Sequence, residues 1–226
     1  MAFAGFVSLD MSAYVNNNVF LNPSTFPTGN GIVGNQNTGV PFNVATYGAS
    51  GYAGVWLAPS SSSSLTIDLT SLNISDQLSF YALLNNFFGT NGVDEYDITV
   101  TATNNDSVTY QSIGGIDTRD YNNNVVNTIA NTTFAWFNNG VGQRLDLREF
   151  TLPLSFSTET LKNFTITQKT GDFAVFSGLT FSTSAPVSNP NITPEPASFL
   201  LCIGALFVMG ALFVTGGLVR DWGPCS

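Results

Sequence analysis

A chain of 226 residues with 43% hydrophobic and only 9% charged side chains is long enough to bury a sizeable single core. Six Lys and Arg against fifteen Asp and Glu leave a net charge of −9, so a partner selected by charge is neither nucleic acid nor an anionic bilayer surface. Histidine is absent, which excludes Ser-His-Asp and Cys-His triads and His-ligated zinc or haem.

The first residues, Met1 to Val7, are apolar but too few for a leader, and no Lys or Arg precedes them. A secretory leader is expected upstream of them. Ser60 to Ser64 reads as a solvated loop. After it come runs that alternate apolar with polar residues or are rich in β-branched and aromatic ones. They are Leu65 to Leu69, Leu78 to Leu84, Tyr96 to Ala102, Val108 to Ser112, Thr132 to Phe137, Leu145 to Leu154, Asn163 to Gln168 and Phe173 to Thr183. Turn signals separate them, among them Gly89 to Gly92, Asn104 to Asp106, Asn138 to Gly140 and Gly171-Asp172. Leu78 to Phe88 has helical propensity, but Phe80, Tyr81 and the Phe87-Phe88 pair suit a buried strand better. The pattern predicts an all-β, jelly-roll-like β-sandwich over residues 1–184. A Pro/Asn-rich stalk follows over 185–193, because its prolines discourage both helix and sheet.

Ala197 to Val219 carries no charge. As a helix rising about 1.5 Å per residue it spans roughly 34 Å, enough for a hydrocarbon core of about 30 Å. Its Leu, Ile, Phe and Val residues favour insertion by roughly 4 to 7 kcal/mol at about 0.3 to 0.6 kcal/mol each. A single transmembrane helix over 197–219 is therefore expected. Arg220 beyond it places the C-terminal stub on the cytoplasmic side. Both cysteines, Cys202 and Cys225, lie in or after this segment, which leaves the preceding body without a disulfide or a thiol nucleophile.

Three acidic groupings are candidates for chemistry. Asp94 and Asp97, with Glu95 between them, follow a Gly-rich turn and are the candidate calcium ligands, calcium being the one cofactor the sequence suggests. Asp117, Arg119, Asp120 and Tyr121 are candidate ligand or ion contacts. Arg119 between two aspartates also suits a bidentate pair that pins a loop, and that structural reading is preferred. Asp146 and Glu149, three apart in a strand, fall on opposite faces and fail as a hydrolase pair. No catalytic residue is assigned. Trp56, Trp136, Phe134 and Phe137 are expected to pack the core rather than form a sugar-stacking platform.

Pro194-Glu195-Pro196, an apolar span and Arg220, in that order over residues 194–226, resemble the PEP-CTERM sorting signal of Gram-negative bacteria. The family usually ends in a small basic cluster, where this chain has Arg220 and then Asp-Trp-Gly-Pro-Cys-Ser. Asp117 to Tyr121, Arg144 to Asp146 and Leu179 to Phe181 are similar to jelly-roll domains that many such proteins carry. The resemblance implies export, tethering in the inner membrane, processing by an exosortase-type enzyme, and a place at the cell surface or in the extracellular matrix. It also implies association with extracellular polysaccharide or biofilm. The expected function is that of a non-catalytic, membrane-tethered surface protein. The alternatives are a calcium-dependent polysaccharide hydrolase or lyase, or a purely structural surface protein. A lipid-anchor signal with small residues at Ser182 to Ala185 is a further reading of the tail.

Overall fold

The computed structural model describes residues 5–19, 21, 24–34, 39–122, 133–138 and 142–182. The stalk at 185–193, the sorting motif Pro194, Glu195, Pro196 and Arg220, and the span 197–219 lie outside these residues. Among the described residues no helix is long and apolar enough to cross a membrane.

Among the described residues fourteen strands follow one another. The first six are short: β1 (Phe6–Ser8), β2 (Gly29–Val33), β3 (Pro41–Val44), β4 (Thr46–Tyr47), β5 (Tyr52–Ala53) and β6 (Trp56–Leu57). The remaining eight are β7 (Ser64–Asp68), β8 (Ser79–Phe87), β9 (Asp94–Ala102), β10 (Ser107–Ile113), β11 (Thr133–Asn138), β12 (Gln143–Thr151), β13 (Leu161–Gln168) and β14 (Phe173–Ser182). Each of these eight overlaps a run that the sequence predicts as a strand. None of the first six was expected.

The strands form an all-β sandwich. One sheet runs β1-β14-β8-β12-β11, with β6 beside β14, and the other runs β10-β9-β13-β7. Between them lie Phe80, Ala82 and Leu84 of β8, Phe150 of β12, Ile98 and Val100 of β9, and Phe164 and Ile166 of β13. Phe80 organises this layer: it stacks on Phe150 at 4.5 Å and meets Phe164 edge-on at 5.8 Å. The outer face of the four-stranded sheet is polar, with a row of hydroxyls at Thr66, Thr165, Thr99 and Thr109 in mutual register. Thr66 and Thr165 bond at 3.2 Å, and Thr99 and Thr109 at 2.9 Å.

The larger sheet is buried on both faces. Tyr81 and Leu83 of β8, Leu145 and Leu147 of β12 and Val175 of β14 point away from the first core into a second one. That second core is closed by the N-terminal segment, through Val19, Leu21, Phe26, Val40, Phe42, Val44, Ala53 and Val55. This explains the near-continuous apolar character of β8, which reads Ser-Phe-Tyr-Ala-Leu-Leu and is buried throughout that stretch. β14 reaches the same end by a different route. Ala174 and Phe176 face the inter-sheet core at even positions, whereas Leu179 and Phe181 do so at odd positions. A bulge between Phe176 and Gly178 shifts the parity.

Candidate functional site

The acidic and arginine-bearing segments meet at one end of the sandwich, where β8 finishes, β9 begins and β12 and β14 start. There the chain from Gly114 to Tyr121 turns back and enters the larger sheet. Asn86 donates its N–H to the Arg119 carbonyl at 2.8 Å and accepts from the Tyr121 N–H at 2.9 Å. The Tyr121 carbonyl then accepts from the Arg144 N–H at 2.7 Å. The segment is thus wedged between β8 and β12, whose own ladder stops at Leu83 and Leu147. The turn is tight: a Cβ on Gly114 would lie 2.0 Å from the Thr90 carbonyl oxygen, so only glycine fits there.

At the wedge Arg119 forms a bidentate pair with Asp146, Nε to Oδ2 at 2.6 Å and Nη2 to Oδ1 at 3.0 Å. Asn85 completes the shell. Its Nδ2 donates to Asp146 Oδ2 at 3.1 Å and its Oδ1 accepts the Asp146 backbone N–H at 3.0 Å, so a side chain stands in for the interrupted ladder. Burial pushes the Asp146 carboxyl up, against the lowering pull of Arg119. The bidentate pin is as expected, but its partner is neither neighbouring aspartate. Asp117 instead accepts from the Ile113 N–H at 3.0 Å and lies 3.4 Å from Arg148. Asp120 accepts from the Phe88 N–H at 2.8 Å. Tyr121 stacks on Phe87 with centroids 5.5 Å apart. Asp117, Arg119, Asp120 and Tyr121 are all buried, at 8%, 8%, 3% and 5% exposure, so none presents its side chain as an open ligand contact.

Arg148 sits over the Phe150 ring at 4.4 Å and donates to Ser112 Oγ at 3.0 Å. Glu149 is on the opposite face of β12 from Asp146, as its spacing predicts, and accepts from the Tyr81 hydroxyl at 3.0 Å. Burial pushes that phenol up to about 12. Asp94 and Asp97 are held by protein donors: Asp97 pairs with Lys169 Nζ at 2.6 Å, and Asp94 accepts from Gln111 at 3.2 Å. The hydrogen bond from Lys169 to Asp97, then their charge attraction, raises the lysine. Among the described residues no group of three or more His, Cys, Asp or Glu is placed to hold a metal ion.

The sequence alone gives Glu95 no role of its own. It is the extra residue of a β-bulge, since Asp94 opposes Ile113 and Tyr96 opposes Ser112. The bulge turns its side chain inward to full burial. There Oε1 accepts from the Thr90 N–H at 2.6 Å and Oε2 from the Thr170 hydroxyl at 2.7 Å, tying the 88–93 loop to the 169–172 loop. Burial raises its pKa, more than these bonds lower it. An irregular parity between Asp94 and Ile98 was the available signal in the sequence.

The expected packing role of the tryptophans matches their positions: Trp56 is 6% and Trp136 1% exposed. Phe137 lies under Arg144 at 5.4 Å, and the Phe134 side chain is outside the described residues. The aromatics that reach the surface at this end are others. Phe87 and Phe173 line a groove of about 340 Å³ together with Asn16, Asn17, Leu57 and Pro59. Phe88 beside them is 56% exposed. Comparison of the sequence with protein-family models gives no match, and comparison with curated proteins gives none either.

Proposed function

We propose that this chain is an exported, membrane-tethered surface protein whose β-sandwich is a non-catalytic module associated with extracellular polysaccharide. The address rests on the tail: Pro194-Glu195-Pro196, the uncharged run over 197–219 read as a transmembrane helix, and Arg220, in the order of a PEP-CTERM signal handled by an exosortase-type enzyme. The fold reading within the sandwich is a jelly roll. Its support is the strand order β1-β14-β8-β12 in one sheet and β7-β13-β9-β10 in the other. Pairing β1 with β14, β7 with β13, β8 with β12 and β9 with β10 describes one long antiparallel hairpin, and the β14–β8 and β13–β9 contacts are made when it is rolled up. β11 is then an added edge strand.

One observation carries the non-catalytic reading. Each acidic grouping that the sequence offers for chemistry is engaged by an internal donor: Asp146 by Arg119, Asp117 by Arg148, Asp120 by the Phe88 N–H, and Asp97 by Lys169. A hydrolase instead needs two carboxylates facing one cleft about 5 to 9 Å apart.

The test is expression of the full chain behind a working leader in a Gram-negative host, with and without an exosortase. Fractionation and the intact mass of the mature C-terminus are read together with polysaccharide pull-down. The expected results are membrane tethering without the enzyme, loss of the tail near Pro194 with it, and retention on matrix polysaccharide. A full-length product that stays in the cytosolic fraction overturns the address. Turnover of a glycan that is lost on Asp120→Asn overturns the non-catalytic assignment.

A further inference from the structure

Two features of the loop end reach the surface. The first is Phe88. It is a bulky residue at φ +69°, a left-handed conformation that such side chains rarely adopt, and its ring is more than half exposed. The conformation is imposed from beneath, because the buried Asp120 carboxylate holds the Phe88 N–H at 2.8 Å. The second is the groove beside it. Its volume of about 340 Å³ is within the range of small-ligand sites, and Phe87 and Phe173 are among its lining residues. The Phe87 ring lies 4.1 Å from that of Phe88 and 6.5 Å from that of Phe173, so the groove and the strained ring form one continuous aromatic surface.

We infer that this surface is a binding site for a neutral glycan chain, whose sugar rings stack on Phe173, Phe87 and Phe88. The inference rests on the polysaccharide reading above and says where and to what class the protein binds. The chemistry of the lining selects the class. No lining residue is charged, and the chain's net charge of −9 disfavours an anionic polymer. Aromatic faces match the C–H faces of sugar rings, while amides at the rim match hydroxyls. Asn16 is fixed as part of the wall, its Nδ2 donating to the Leu57 carbonyl at 2.9 Å and its Oδ1 accepting the Leu57 N–H at 2.8 Å. Asn17 accepts from Asn18 and Val19 through Oδ1, which leaves its amide N–H donors for a ligand. The strain at Phe88 is accounted for on the same basis: glycine would suit that backbone, and a phenylalanine there keeps an exposed ring beside the groove.

The experiment uses the full-length protein in lipid nanodiscs. Binding is measured to cellulose, curdlan and mannan, to their soluble hexasaccharides, and to anionic alginate. Phe88→Gly, Phe173→Ala and a control at the opposite end, Leu154→Ser, are compared with the wild type. The expected result is retention on at least one neutral glycan, weakened tenfold or more by Phe88→Gly and by Phe173→Ala and unchanged by Leu154→Ser. Phe88→Gly is also expected to raise the unfolding midpoint, which separates lost binding from lost folding. Neutral-glycan binding that both variants keep overturns this site and leaves the polysaccharide reading standing. Retention on alginate alone overturns the assigned class. A concentration-dependent dimer that Phe88→Gly abolishes assigns the surface to a second copy instead. The absence of retention on any glycan removes the polysaccharide reading itself.

Discussion

Replacing Arg119 with alanine leaves the Asp146 carboxylate inside the sandwich with its main countercharge gone. Breaking a buried pair from one side costs about 3–5 kcal/mol, because the remaining charge is neither solvated nor neutralised. Arg119→Ala is expected to lose that much in urea unfolding, whereas Arg119→Met combined with Asp146→Leu loses far less. Near-equal losses would show that the site depends on its packing rather than on charge. Glu95 gives a pH signature of its own. Its folded pKa lies above the unfolded value of about 4.3, so the folded state holds its proton more tightly. That contribution is fully present below the unfolded value and is lost as pH rises through the folded one. Glu95→Gln removes the titration. It is therefore expected to raise the thermal midpoint at neutral pH and to flatten the decline in stability above pH of about 4.3. A variant less stable than wild type at neutral pH would mean that the Thr90 and Thr170 bonds outweigh the burial of the charge. At this scale the sequence identified the polar residues of the loop end but not their partners. Arg119 and Asp146 are joined only because the 114–121 segment enters between β8 and β12, a crossing that no local pattern announces.

The strands themselves were far more legible, since alternation and β-branched content are local properties. β9 and β13 alternate because one face of their sheet is wet, and the threonines mark that face. β8 is legible through its aromatics, Phe80, Tyr81 and the Phe87-Phe88 pair, which suit a buried strand better than a helix, although which partner covers its second face is not evident from the sequence. Gly178 shows what that second face demands. A Cβ there would lie 2.8 Å from Phe42 Cδ1 and 2.9 Å from Leu83 Cδ1. Gly178→Ala is expected to destabilise by about 1–3 kcal/mol through overpacking, read as a shift in the urea midpoint. A midpoint that does not move would mean that β3 yields without cost.

For the molecule as a whole, the segment before β7 decides whether the sandwich has one core or two. Deleting residues 5–58 uncovers Tyr81, Leu83, Leu145, Leu147 and Val175, an apolar face that monomeric surfaces rarely leave open. The shortened chain is expected to bind a hydrophobic dye strongly and to aggregate; a soluble, dye-silent product would mean that the N-terminal layer is dispensable. The sequence by itself determined the all-β class, the eight strands from β7 to β14, the exclusion of histidine-based chemistry and, ahead of the 197–219 run, of thiol-based chemistry, and the opposite faces of Asp146 and Glu149, because composition and side-chain periodicity act over a few residues. Tertiary structure alone decided that strands of two to five residues build a second core, and that Phe87 and Phe173 meet at one groove with Phe88 beside it. Those outcomes depend on which distant segments approach each other, and contacts between residues far apart in the chain leave no period in the sequence to read.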